Sequence, residues 1–209
     1  MKIILASASK RRIELLRRYL DRFEVKASRI DEAEFMGKYE SPGRMVKTLA
    51  LAKAQKIYNT LPSVRGQSYL AIGADTVISL PIGDKHKIIG KPQSKVDARA
   101  ILNMLSGREH KVISGVAILS SKAKGKKITF TDTTQVYFKK LSFGQITEYL
   151  NTGLYPDRAG AYGIQDQKCD FVERYIGSYN NILGLPTEKL ILELEELGIK
   201  VKDVDKGRG

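Results

Sequence analysis

Cysteine is nearly absent from this chain: Cys169 is the single one among 209 residues. A lone thiol excludes an internal disulfide framework and a cysteine-rich zinc site. Long apolar runs are missing too, and none approaches the roughly 20 residues needed to cross a bilayer. The apolar start, Met1 to Ser7, runs straight into Lys10, Arg11 and Arg12. It reads as a first strand and is too short for a secretory leader. These absences together point to the cytoplasm. The two histidines, His86 and His110, are too far apart for a metal motif, and neither lies beside a candidate nucleophile. No Walker-type phosphate loop occurs, so any phosphate machinery is of another kind. Acidic residues are scarce relative to basic ones: 23 Asp and Glu against 36 Lys and Arg leave a net charge of +13. That excess attracts polyanions such as nucleic acid, acidic lipid or nucleotides, and it equally fits a solvated basic surface. Charge alone selects no partner.

What is present is an alternation of two-residue and helical periods, the pattern of an α/β protein. Residues 2–6 read as a strand and 10–20 as a helix with Leu15, Leu16, Tyr19 and Leu20 in an apolar stripe. Ser41 and Pro42 open a helix to Tyr58, with Met45, Leu49, Ala52 and Ile57 as its buried line. Residues 69–80 are almost continuously apolar, as a central strand covered on both faces requires. Ser94 caps a helix to Leu105. Two β-rich runs, 110–120 and 127–138, joined by a basic turn, resemble a hairpin. A helix follows over 141–150, and Pro186 opens a last one. With no repeat and no linker, and with 42% hydrophobic residues, the chain is expected to be one domain over 1–209, its charged tail at 203–209 frayed. The expected architecture is a central mixed sheet flanked by helices and split into two lobes around a cleft.

Several residues carry chemistry. Ser7 and Ser9 stand where the first strand meets a helix start, whose free amides favour an anion, and Arg11 and Arg12 add forked donors suited to phosphate oxygens. The other reading is a helix cap followed by solvated basic residues. Asp75 lies amid Ala71, Ile72, Val77 and Ile78, where a carboxylate must be paired or bind a metal. Glu32 offers a second carboxylate for a hard cation. Lys53 and Lys91 are placed to reach phosphate, although most lysines coat a surface. Gln165, closing a run of small residues from Ala159, offers a donor and an acceptor to a base edge.

Taken in order, these segments resemble the Maf family of nucleotide pyrophosphatases, also described as septum-formation inhibitors. The matching pieces are Leu5-Ala-Ser-Ala-Ser-Lys-Arg-Arg12, Gly73-Ala-Asp-Thr-Val77, Gly90-Lys-Pro92, Leu105-Ser-Gly107 with His110, Ala159 to Gln165, and Gly177 to Pro186. They run across almost the whole chain. Lys10 stands where the family usually has proline, Arg158 where lysine is common, and Asp166 where glycine is common. The resemblance implies a Maf or ITPase-like fold, a divalent cation (Mg²⁺ or Mn²⁺), and often a homodimer. It implies hydrolysis of a nucleoside triphosphate to the monophosphate and pyrophosphate, and the branch it favours acts on dTTP and UTP. Asp75 is then the expected general base, cation ligand or both, with Glu32 as its companion ligand and Lys53 assisting. Arg12, Thr76 and Gln165 would set nucleotide preference, and Ser7, Ser9, Arg11 and Lys91 would bind substrate. The rival expectation is a non-catalytic regulator of cell division that binds nucleic acid or a protein partner. No recognised nucleic-acid motif supports it, and no membrane partner is expected.

Overall fold

The computed structural model describes residues 1–35, 38, 39, 41–62, 66–122 and 126–203. The expected frayed tail lies, beyond Asp203, outside the described residues, and so does the middle of the basic turn between the two β-rich runs. Strand β1 (Lys2–Leu5) leads into helix α1 (Lys10–Tyr19) and the short β2 (Glu24–Val25). A 3-10 turn at Glu32–Phe35 precedes α2 (Pro42–Tyr58), which leads to β3 (Tyr69–Ile82) and β4 (Lys85–Ile89). Then come α3 (Lys95–Leu105), β5 (Glu109–Ser120), β6 (Lys127–Phe138) and α4 (Phe143–Asn151). Two 3-10 turns at Tyr155–Asp157 and Ala159–Ala161 lead to β7 (Val172–Ile176), α5 (Tyr179–Ile182) and α6 (Thr187–Glu196).

Serines set the helix starts. Ser9, Ser41, Ser94, Ser142 and Ser178 each accept a hydrogen bond from the backbone N–H three residues on, capping α1 to α5 in turn. Each such cap is worth about 1 kcal/mol. Ser142 goes further, because Gln145 reaches back to its backbone N–H and completes a capping box.

Among the described residues the sheet has seven strands, in the order β2-β1-β3-β5-β6-β7, with β4 also paired to β3. It is mixed: β1 runs parallel to β2 and β3, whereas β3–β4 and β6–β7 are antiparallel. The chain forms two compact units. The first holds Met1–Asp75, Ser114–Asp132 and Gly184–Gly209, and the second Thr76–Ile113 and Thr133–Leu183. In the first, Ile4, Ala6, Ile57 and Tyr69 pack together, and Ala50 and Ala54 of α2 meet Ala117 and Leu119 of β5. In the second, Ile78, Leu80, Leu102, Leu105, Phe138, Tyr149, Tyr162 and Phe171 make one core. Its rings meet edge to face, Phe138 touching His110, Tyr162 and Phe171 in turn.

Helix α2 departs from the expected buried line at one position. Met45, Leu49 and Ile57 are buried as the period requires, but Ala52 is half-buried and its neighbour Lys53 is buried instead. No helix among the described residues is long and apolar enough to cross a membrane.

Candidate functional site

The site begins with two adjacent positions on one face of β3. Gly73 and Asp75 are two residues apart, so both point to the same side of the strand. A Cβ on Gly73 would lie 2.1 Å from the Ala50 carbonyl oxygen and 2.8 Å from the Ala54 nitrogen. Only glycine lets the α2 backbone come this near. Gly115 of β5 does the same further along the helix, where an added Cβ would sit 2.4 Å from the Val46 carbonyl carbon. Pressed against two strands, α2 turns Lys53 inward, towards the face that carries Asp75.

Lys53 is 6% exposed and Asp75 5%. The Lys53 Nζ donates to Asp75 Oδ1 at 2.6 Å and lies 2.6 Å from Glu32 Oε1, on the 3-10 turn. One ammonium therefore stands between two carboxylates, one buried and one half exposed. Burial pushes the Asp75 carboxyl upward, while Lys53 and Arg12 pull it down and Glu32 adds to the rise. Two oxygen-bearing carboxylates converging on one cation form a hard donor set, and that chemistry fits Mg²⁺ or Mn²⁺. Among the described residues no group of three His, Cys, Asp or Glu side chains gathers for a metal. Mg²⁺ is usually bound by one or two carboxylates together with substrate phosphates, so a pair is a fitting set.

Arg12 reaches the same region from the first turn of α1. Its Nε donates to the Gly184 carbonyl at 2.8 Å and its Nη1 to the Ala74 carbonyl at 2.9 Å. The guanidinium is thus tied to β3 next to Asp75 and to the turn before α6. Burial lowers its pKa, opposed by the charges of Asp75 and Glu32. Ser7 is buried, and its hydroxyl lies 3.5 Å from Arg12 Nη1 and accepts from the Ser9 N–H at 3.2 Å. Ser9 is the α1 cap. Arg11, beside Arg12 in that first turn, is half-buried. The structure therefore brings Ser7, Arg12, Glu32, Lys53 and Asp75 together, with Ser9 and Arg11 at the adjoining helix start.

Thr76, Lys91 and Gln165 belong to the second unit. Thr76 follows Asp75 in β3 and is half-buried. Lys91 is exposed, its Nζ 3.6 Å from Asp157. Gln165 is exposed in a turn. Three features had no signal in the linear pattern: the Ala74 and Gly184 carbonyls that hold Arg12, the burial of Lys53, and a buried ion pair between Arg158 and Asp166. Gly73 and Gly115, glycines inside strand-like runs, were the one hint of a close backbone approach.

The chain matches the family described as Maf-like protein over residues 2–197. It is 44% identical over 199 residues to the dTTP/UTP pyrophosphatase of Clostridium botulinum (strain 657 / Type Ba4), covering 95% of this chain and 98% of that one. The protein of the same name from Clostridium beijerinckii is 42% identical, with 94% and 100% covered. That from Bacillus thuringiensis subsp. konkukian is 38% identical, with 96% and 97% covered. Among solved structures, the Ham1 protein of Staphylococcus aureus is similar over 93% of this chain and 100% of that chain, at 16% identity and a TM-score of 0.48, too faint a likeness to carry weight. On the match along nearly its whole length, the chain belongs to the Maf-like protein family.

Proposed function

We propose that this protein hydrolyses dTTP and UTP to the nucleoside monophosphate and pyrophosphate, by attack of water on the α-phosphorus. One observation carries the chemistry: a carboxylate buried in a central strand, Asp75, held by the Lys53 ammonium beside a second carboxylate, Glu32. The substrate class follows the relatives, which bear the name dTTP/UTP pyrophosphatase at 38–44% identity.

Glu32 and Asp75 would hold a divalent cation, which when bound supplies charge neutralisation for the triphosphate. Asp75 takes the proton of the attacking water, a role helped by the upward push that burial gives its carboxyl. Lys53 sits 2.6 Å from Asp75 and stabilises its charge; as substrate arrives, the same ammonium is in reach of negative charge building on the leaving group. Arg12 fixes the middle stretch of β3 that carries Asp75, because it grips the Ala74 carbonyl. Ser7, Ser9 and the amides of the α1 start receive phosphate oxygens, with Arg11 and Lys91 adding positive charge. Thr76 and Gln165 read the base. Uracil and thymine present an N–H between two carbonyls, and an amide answers both kinds of group. A site so equipped disfavours cytosine and the purines, which leave its polar atoms unpaired.

The non-catalytic reading, a nucleic-acid or partner-binding regulator, rests on the net charge and the arginine-rich α1 and is not favoured. The decisive assay incubates the purified protein with Mg²⁺ and each common ribo- and deoxynucleoside triphosphate, measuring pyrophosphate with and without EDTA. Release should be strongest with dTTP and UTP, vanish with EDTA, and fall at least about 100-fold in Asp75→Asn. Near-normal turnover by Asp75→Asn would refute its assigned role, and a ranking led by a purine or CTP would refute the base assignment.

A further inference from the structure

The turn that carries Gln165 is fixed by a buried network that none of the steps above uses. The Asp166 N–H donates to the Gly163 carbonyl at 2.9 Å, closing a four-residue turn with Ile164 and Gln165 at its centre. Gln165 is exposed there. Beyond the turn, the Asp166 carboxylate accepts three hydrogen bonds. Arg158 Nη2 donates to Oδ1 at 2.8 Å and Arg158 Nε to Oδ2 at 3.0 Å, a forked pair. The Tyr149 hydroxyl, from α4, donates to Oδ2 at 2.9 Å. The Asp166 side chain is 4% exposed and that of Arg158 16%, so solvent screens the pair weakly.

The same tyrosine holds the other end of the turn, since the Gly163 N–H donates to its oxygen at 3.2 Å. Burial first, then Asp166, pushes the Tyr149 hydroxyl far above the ordinary phenol value, so it stays a donor at neutral pH. Gly163 leaves the space these groups fill: a Cβ there would lie 2.4 Å from Asp166 Oδ2 and 2.8 Å from Arg158 Nε. The Cys169 N–H adds a bond to the Asp166 carbonyl at 3.1 Å. A turn tied at both ends to one ion pair and one rigid ring samples few backbone states. A side chain at its corner then meets a ligand with little ordering left to lose.

We infer that Arg158, Asp166 and Tyr149 are positioning residues that hold the Gln165 turn in one shape and thereby set base preference. The inference rests on the base-reading role proposed above for Gln165. The test compares kcat and KM for dTTP, UTP and CTP in the wild type, Gln165→Ala, Asp166→Asn and the double variant, each checked for folding by circular dichroism. Asp166→Asn should raise KM for dTTP and UTP by about tenfold, keep kcat within about twofold, and narrow the preference over CTP. The double variant should be no worse than Gln165→Ala alone, because both changes remove one function. Full additivity, or a fall in kcat at unchanged KM, overturns the inference. Should Asp166→Asn fail to fold, Tyr149→Phe deletes only the hydroxyl shared by the turn's two ends; unchanged base preference in that variant also overturns it. If Gln165→Ala itself leaves the ranking intact, the base-reading role fails and this inference falls with it. If Gln165→Ala alters the ranking and Asp166→Asn does not, only this inference fails.

Discussion

Lys53 holds two carboxylates at 2.6 Å, and removing its charge isolates Asp75 in a buried strand. Lys53→Met keeps the volume and deletes the cation. It should cost about 3 kcal/mol of stability at neutral pH, because a buried charge loses its partner. Adding Asp75→Asn to it should restore most of the loss. Urea unfolding of the two single variants and the double one checks this, and equal losses in Lys53→Met and the double variant would count against it. His110 offers a second test at this scale. Burial holds its pKa down to about 3 against the ordinary 6.5, with its Nε2 2.9 Å from the Tyr162 hydroxyl. The unfolded chain thus takes up the proton first. The neutral ring's contribution is fully present above pH 6.5 and is lost as the pH falls towards 3. Between pH 7 and pH 5 the stability gap between wild type and His110→Gln should shrink by about 2 kcal/mol. A gap that does not change with pH would contradict the burial of a neutral ring. Asp75 was legible from sequence because a lone acid in an apolar run is conspicuous. The burial of Lys53 was not, because a lysine in a helix is usually solvated and only Gly73 and Gly115, far off in sequence, reveal how near the strands lie.

At the scale of elements, α2 and β3 bring Lys53 and Asp75 of the candidate site together. Gly73→Ala would put a methyl group 2.1 Å from the Ala50 carbonyl, so helix and strand must part. Stability should fall by about 3 kcal/mol or more, the upper range for overpacking, and turnover should fall with it because Lys53 is carried away from Asp75. Gly90→Ala is the control: an added Cβ meets nothing within 4 Å, and stability should stay within about 0.5 kcal/mol of wild type. Thermal unfolding of both variants decides the matter, and equal midpoints would sink the close-packing account. Elements with a strong period were readable. β3 is covered on both faces for most of its length, and α1, α2 and α3 begin at serines that cap them. β4 and β7 were not readable, because their burial patterns are mostly exposed and their sequences carry several charges. Such strands are specified by the neighbours they pair with, and those partners are distant in the chain.

For the whole molecule, the net charge of +13 meets a substrate with about four negative charges, and screening should weaken that encounter. KM for dTTP should therefore rise with added salt while kcat changes little, and a salt-independent KM would assign the excess charge to the surface alone. The ordered motifs gave the family from sequence, because each is a turn or helix start whose residues are tightly constrained. The long-range ties of Arg12 to Ala74 and Gly184 join segments 62 and 172 positions apart, and no local pattern announces such bonds. In the proposed reaction water attacks the α-phosphorus. Its most direct test is turnover of dTTP in water carrying a heavy oxygen isotope, followed by mass analysis of both products. The label is expected in thymidine monophosphate and not in pyrophosphate. Label in pyrophosphate, or release of inorganic phosphate in its place, would contradict it.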